Sequence, residues 1–254
     1  MQKLALVRRP GPRVTEGLVT HLERTPVDAD LALRQWQGYV DALHAEGWRT
    51  VEVAPADECP DAVFVEDTVV VYGDLAVICR PGADERKPET TATEETLRGL
   101  GYRIAHVEAP DTLDGGDVLK HGGTVWVGLG GRTTPGAVEQ LRAHLAAYDA
   151  TVVGVPLAKV LHLKSAVTAL PDGTVIGWDP VVDDPGVWER YESVPEEPGA
   201  HVVLLDERTV LMSSAAPRTI ERFEARGLRV VAVDISELEK LEGCVTCLSV
   251  RLRG

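Results

Sequence analysis

A chain of 254 residues with 26 Lys and Arg against 40 Asp and Glu has a formal net charge of −14, which argues against nucleic-acid binding, since that needs a basic face, and is compatible with a small cationic substrate. No Ser/Gly linker, low-complexity run or block of like charge divides it, so residues 1–254 are expected to form one domain. The apolar run before Arg8 and Arg9 is too short for a signal peptide, nothing approaches a membrane span, and four cysteines without a regular framework fit a reducing compartment, so a cytoplasmic location is expected.

Taken in chain order, the predicted elements repeat. An apolar strand over Met1–Arg9 runs into Arg-Pro-Gly (LALVRRPGP, Leu4 to Pro12), followed by an amphipathic helix over Asp30–Glu46 and a strand over Arg49–Ala54. A leading strand, Val63–Tyr72, turns at Gly73-Asp74 into a second strand that again ends in Arg-Pro-Gly (LAVICRPGA, Leu75 to Ala83). A helix over Glu89–Leu100 and a strand over Tyr102–Glu108 complete that unit. Asp117–Lys120, Thr124–Leu129, the helix Pro135–Tyr148 and Thr151–Val155 repeat the order. His162–Leu170 and Thr174–Trp178 open a fourth copy, whose helical part around Pro185–Tyr191 is short and acidic. The fifth has strands His201–Leu205 and Val210–Ser213, a helix Pro217–Arg226 begun by Pro, and a strand Leu228–Val233 after Gly227.

Each copy is strand, turn, strand, helix, strand, and the first lacks its leading strand. The leftover stretch LEGCVTCLSVRL, Leu241 to Leu252, alternates apolar and small polar residues from Val245 onward and reads as a strand. Laid against Met1–Arg9 it supplies the missing strand and closes a ring of five α/β units. An open doubly wound sheet, the alternative, gives this strand no place.

Cys244 and Cys247 form a CxxC. A zinc site of that kind wants a second Cys/His pair, and Cys59 and Cys79 are isolated. A thioredoxin-like motif wants a helix after it, where a strand is expected here. Three apart on a strand, the thiols face opposite sides and read as two single cysteines.

If the leading strands line the axis, polar residues of several units meet there: Asp61, Glu66 and Asp67 of the second, Asp114 and Asp117 of the third, His162 and Lys164 of the fourth, and Cys247. Singly, each has an ordinary structural explanation. Together, one thiol, one imidazole and several carboxylates are the parts of a nucleophilic site for a cationic substrate.

At these residues the chain resembles the dimethylarginine dimethylaminohydrolase family of the guanidine-modifying (pentein) superfamily. The motifs are FVEDT (Phe64 to Thr68), Arg80-Pro81-Gly82, LDGGDVL (Leu113 to Leu119), Gly131-Arg132-Thr133, LHLKS (Leu161 to Ser165) and the Cys247 strand. The resemblance implies a five-bladed α/β propeller of ββαβ units with pseudo-five-fold symmetry. It implies hydrolysis of methylated arginine to citrulline and a methylamine without metal or cofactor. Carried over, Cys247 is the nucleophile, His162 the general acid and base, and Asp114 the residue orienting it, with Asp117 competing for that role. Glu66 and Asp67 bind the guanidinium, Arg80 and Arg132 the substrate carboxylate, and Asp61, Leu18 and Leu241 lie near the amino-acid end or the lid. The partner expected is a small molecule, with no nucleic acid or membrane, and a homodimer is allowed. Arginine deiminase or amidinotransferase activity is the alternative within the superfamily, and a silent ring protein binding an arginine-like ligand is the alternative outside enzymes.

Overall fold

Strand β1 (Lys3–Val7) leads into helix α1 (Ala29–Ala45) and strand β2 (Arg49–Glu52). Strands β3 (Val69–Tyr72) and β4 (Leu75–Ile78) are followed by α2 (Thr90–Gly99) and β5 (Arg103–His106), and β6 (Val118–His121) and β7 (Thr124–Leu129) by α3 (Pro135–Leu145) and β8 (Thr151–Pro156). A one-turn helix α4 (Leu163–Ala166) precedes β9 (Val167–Ala169), β10 (Val175–Gly177) and β11 (Tyr191–Ser193). Last come β12 (Val202–Leu204), β13 (Thr209–Ser213), α5 (Pro217–Ala225), β14 (Arg229–Val233), the one-turn α6 (Ser236–Glu239) and β15 (Val250–Arg253). This computed structural model describes residues 3–253; Met1 and Gln2, expected at the start of the first strand, lie outside the described residues.

Among the described residues the strands make five three-stranded sheets, β15-β1-β2, β3-β4-β5, β6-β7-β8, β9-β10-β11 and β12-β13-β14. In each, a leading strand runs antiparallel to the middle strand and the middle runs parallel to the third. The chain is thus a five-bladed α/β propeller. The C-terminal strand completes the first blade, with Leu4 opposite Leu252 and Leu6 opposite Val250. No ladder among the described residues runs from one sheet to the next, so the ring closes by side-chain packing and not as a continuous barrel. Leu4, Leu6, Val250 and Leu252 of the first blade pack in one buried cluster with Val69, Val71 and Ile78 of the second, each such side chain contributing roughly 1.5–3 kcal/mol. Arg8, fully buried, ties the same two blades by donating to Ala54 O, Ala62 O, Glu89 O and Thr93 Oγ1.

Helix α1 shows why the outer layer forms. Ala32, Trp36, Tyr39, Val40 and Leu43 recur at helical spacing and are buried, and Asp28 caps the first turn by accepting from Leu31 N–H at 2.9 Å. In the fourth unit a 3-10 turn, Pro185–Val187, stands where the other units have a helix.

Two expected leading strands are much shorter than the sequence reading: Val65–Thr68 within Val63–Tyr72 is a 3-10 turn, and α4 occupies the first half of His162–Leu170. The third, expected over Asp117–Lys120, is β6, with the 3-10 turn Gly115–Asp117 just ahead of it. Leu241–Ser249 is likewise not strand; β15 begins only at Val250. The turns sit at one end of the ring axis. Residues of all five leading strands, among them Val71, Leu119, Thr168, Val202 and Val250, wall an axial cavity of about 300 Å³, and Glu66, Gly115, Lys164 and Thr246 of the turns border it.

Candidate active site

The turns ahead of the strands carry the polar residues. A period-2 strand sends neighbours to opposite faces, whereas a tight turn lets a few consecutive residues point off the end of a blade. The Gly115-Gly116 pair allows two of these turns to stack: a Cβ on Gly115 would stand 2.1 Å from Glu66 O, and one on Gly116 would stand 2.6 Å from both Asp67 Oδ1 and His162 Nδ1. Only glycine fits at both positions. Gly116 N–H accordingly donates to Asp67 Oδ1 at 2.7 Å.

Cys247, His162 and Asp67 wall one small pocket, together with Leu18, Asp61, Arg86, Arg132 and Leu241. Its free volume is about 20 Å³, far below the roughly 300 Å³ or more of a ligand-sized pocket. His162 N-caps α4 in position, and its Nε2 bonds Asp114 Oδ2 at 2.9 Å while Nδ1 lies 3.8 Å from Asp67 Oδ1. Asp114 is anchored in turn by Gly82 N–H at 2.8 Å. Asp117 faces elsewhere: its carboxylate accepts from Thr133 Oγ1 at 2.6 Å and from Leu163 N–H at 3.0 Å. Burial opposes a charge on His162, but Asp67, the hydrogen bond to Asp114 and the charge of Asp117 overcome it and raise its pKa to about 9. Asp67 is also buried, yet His162 and Arg86 hold it down at about 2. Burial pushes Asp117 up to about 6.

The expected residues divide between two spaces. Asp67 faces the small pocket, where Arg86 Nη1 meets its Oδ2 at 2.6 Å. Glu66 borders the axial cavity instead, with Oε1 held by Lys164 at 2.6 Å and Arg251 at 3.1 Å; its buried Oε2 has no partner among the described residues. Asp61 accepts from Leu18 N–H with both oxygens, at 3.0 and 3.1 Å. Arg132 Nη1 lies 4.0 Å from Asp114 Oδ2.

Arg80 stands apart from these. Its guanidinium donates to Pro110 O and Asp111 O, outside the pocket lining, so the Arg-Pro-Gly motif reaches the site through Gly82 N–H and not through its arginine. The second pocket arginine is Arg86, which sequence reasoning missed. It is buried, clamps Glu89 through Nε and Nη2 at 3.0 and 2.8 Å, and reaches Asp61 O and Phe64 O. The charged run DERKPE reads as a solvated surface; only the three-residue spacing of Arg86 and Glu89 hinted at a partner. Glu242 was missed as well. Its buried carboxylate accepts from the backbone N–H groups of Thr20 at 2.7 Å, His21, and Leu22 at 2.9 Å, fastening the segment that starts at Leu18 over the pocket.

The two cysteines correct the strand reading most directly. Cys247 N–H donates to Cys244 O at 3.1 Å, so the residues span a turn, and the sulfurs are 3.4 Å apart instead of facing opposite sides. The contact with Cys247 pulls the Cys244 thiol down to about 5 against its burial and pushes Cys247 well up, because two negative sulfurs this close cannot coexist. Among the described residues no group of three or more His, Cys, Asp or Glu is arranged to hold a metal ion.

No family model matches the sequence. The chain is 60% identical over 99% of its length to N(G),N(G)-dimethylarginine dimethylaminohydrolase of Streptomyces coelicolor, covering 97% of that protein. It is 34% identical to the enzyme of that name from Pseudomonas aeruginosa, over 99% of this chain and 100% of that one. Among solved structures, a dimethylarginine dimethylaminohydrolase variant in adduct with S-methyl-L-thiocitrulline superposes with a TM-score of 0.93 at 31% identity, over 99% and 100% of the two chains. Five blades, the buried His162 between two aspartates and these full-length identities agree: the chain belongs to the dimethylarginine dimethylaminohydrolase family.

Proposed function

We propose that this chain hydrolyses N(omega)-methylated arginine, as asymmetric dimethylarginine or monomethylarginine, to L-citrulline and dimethylamine or methylamine through a covalent thiouronium on Cys247. The observation that carries the assignment of roles is His162, fixed by Asp114 at 2.9 Å in the pocket that Cys247 lines.

A guanidinium carbon is a poor electrophile because its charge is delocalised, so it needs a strong nucleophile, and thiolate is the strongest a side chain offers. The bound cation draws the negative charge of the thiol pair onto Cys247. At neutral pH His162, with its pKa near 9, holds the proton that the departing amine requires. Attack forms the S–C bond, His162 protonates the amine as the C–N bond breaks, and a thiouronium remains. The imidazole, now neutral, takes a proton from water as its oxygen adds to the carbon. Collapse expels the Cys247 thiolate, the hydroxyl proton passes to the released amine or to solvent, and citrulline is freed. Asp67 balances the substrate cation through charge-assisted hydrogen bonds of roughly 1.5–3 kcal/mol each. Arg86 and Arg132 flank the pocket for the substrate carboxylate, and Asp61 with Leu18 faces its amino end. Glu66 acts from behind: its N–H donates to Cys247 O at 3.2 Å, holding the turn.

The reading extends to one domain over residues 1–254, acting in the cytoplasm, where its four free thiols stay reduced. Among the described residues no helix is long and apolar enough to cross a membrane. A homodimer is compatible with this scheme, and light scattering decides it.

The test is citrulline release from asymmetric dimethylarginine, monomethylarginine and arginine, compared as kcat/KM. Arg86 and Gly116 each take one lone pair of an Asp67 oxygen, the rest serve the unsubstituted side of the guanidinium, and the extra N–H donors of arginine meet few acceptors beside Phe64 and Leu161. Methylated substrates should win by about ten- to hundred-fold. Arginine equal to or better than both would identify a deiminase instead.

A further inference from the structure

The second thiol forms no bond to the substrate in this scheme, yet it lies beside the proposed nucleophile. We propose that Cys244 and Cys247 are a redox-active dithiol, a modification site at which a hydroperoxide converts the pair into an intramolecular disulfide. The disulfide follows from the geometry alone; the loss of activity it brings rests on Cys247 being the nucleophile.

Three observations carry it. The sulfurs are 3.4 Å apart, so closing the bond needs an approach to about 2.05 Å, within reach of side-chain rotation. The Cys247 N–H to Cys244 O bond of 3.1 Å makes the CxxC a turn, whose end-to-end Cα separation is under about 7 Å, matching the span of about 4.4–6.8 Å that a disulfide takes. Finally, Cys244 has its own approach. It borders a cavity of about 380 Å³ that adjoins the hydrolytic pocket at Leu161, Glu242 and Gly243 and whose wall includes His21 and the exposed Leu22, so the cavity reaches the surface. A peroxide is far smaller than that space.

The chemistry balances with hydrogen peroxide as the oxidant. One thiolate attacks the peroxide, forming an S–O bond as the O–O bond breaks and hydroxide leaves. The neighbouring thiolate attacks the resulting sulfenic sulfur, forming S–S and expelling the second hydroxide. The two thiol protons leave with the hydroxides as two waters, and two electrons pass from the sulfurs to the peroxide. Cys244 is well suited to one of these steps, because the hydrogen bond from Cys247, outweighing burial and aided by His201 and Thr246, favours its thiolate. A dithiol reductant reverses the reaction by exchange. Without Cys244 the sulfenic acid on Cys247 has no resolving partner at this distance and proceeds to sulfinic acid, which thiols do not reduce.

The experiment treats the full-length, freshly reduced protein with hydrogen peroxide, then reads citrulline release, intact mass and a non-reduced peptide map before and after dithiothreitol. The expected wild-type result is loss of activity together with about 2 Da of mass, a linked peptide joining Cys244 to Cys247, and recovery of most activity on reduction. Cys244→Ser, scaled to its own starting rate, should instead gain about 16 or 32 Da and recover several-fold less. A wild-type map with oxygen added to Cys247 and no linkage, a bridge to Cys59 or Cys79, or equal recovery in both proteins would overturn the proposal. The map stands by itself if Cys244→Ser does not fold. A reduced protein that forms the linkage but never releases citrulline would instead sink the hydrolase assignment.

Discussion

Asp114 and His162 are joined by a 2.9 Å bond between carboxylate and ring Nε2, while Asp117, only three residues on, turns its carboxylate to Thr133 and to Leu163 N–H. The 3-10 turn Gly115–Asp117 separates the two side chains, so that Asp114 and not Asp117 bonds the histidine ring. Asp114→Asn replaces the His162 acceptor with a group that must also satisfy Gly82 N–H, and it removes the charge. Its kcat should fall by about 100-fold or more, whereas Asp117→Asn, whose amide can accept from Leu163 N–H and donate to Thr133, should lose less than about ten-fold. Steady-state kinetics of the two variants decides this; equal losses would mean that Asp117 shares the role.

The raised pKa of His162 sets a pH window. The group titrates near 6.5 when unfolded and near 9 when folded, so its contribution to stability is fully present below about 6.5 and is lost as the pH rises through about 9. The kcat/KM profile should fall with an apparent pKa near 9 as the leaving amine loses its acid. Thermal unfolding of the wild type should lose stability between those pH values, and His162→Asn should flatten that slope. A wild-type slope identical to that of the variant would detach His162 from the effect.

Glu242 fastens the Thr20–Leu22 backbone with one buried carboxylate. Leu18, two residues before this backbone, lines the pocket of about 20 Å³ beside Cys247, so loosening the segment is expected to ease the entry of an arginine derivative. Glu242→Ala leaves three N–H groups without their acceptor, at about 0.5–1.5 kcal/mol each. Amide exchange at residues 20–22 should accelerate by ten-fold or more by that arithmetic, and KM should change more than the single-turnover rate. Unchanged exchange would show that other contacts hold the lid.

Arg251 brackets Cys247. Its Nη1 donates to Thr246 O at 3.3 Å and Ser249 O at 2.8 Å, on either side of Cys247, and its Nη2 meets Glu66 at 3.1 Å. Arg251→Met should reduce kcat with little change in KM and cost about 3 kcal/mol, since a buried carboxylate loses one of two cations. Arg251→Lys, which restores the charge but not the fork, should recover stability more than kcat. Equal recovery of both would argue that charge alone matters.

The residues that were legible in the sequence are those whose neighbours along the chain explain them. Hydrophobic period and turn residues marked five copies of one unit, and the strand left over required β15 to pair with β1, because a repeat that begins without its first strand must find it at the other end. The family motifs led to Asp61, Asp67, Arg132, His162 and Cys247, which line one pocket. What only the tertiary structure decided is where side chains point once a strand gives way to a turn. Cys244 and Cys247 were expected on opposite faces by period-2 reasoning, and a single i to i+3 hydrogen bond brought their sulfurs together. Arg80 and Arg86 both lie between the second strand of the unit and its helix. Arg80 turned outward to Asp111 O, and Arg86 was drawn inward because Asp67 and Glu89 supply buried carboxylates for its charge. Such choices depend on partners far away in the chain, and charge burial is favourable only where those partners already stand.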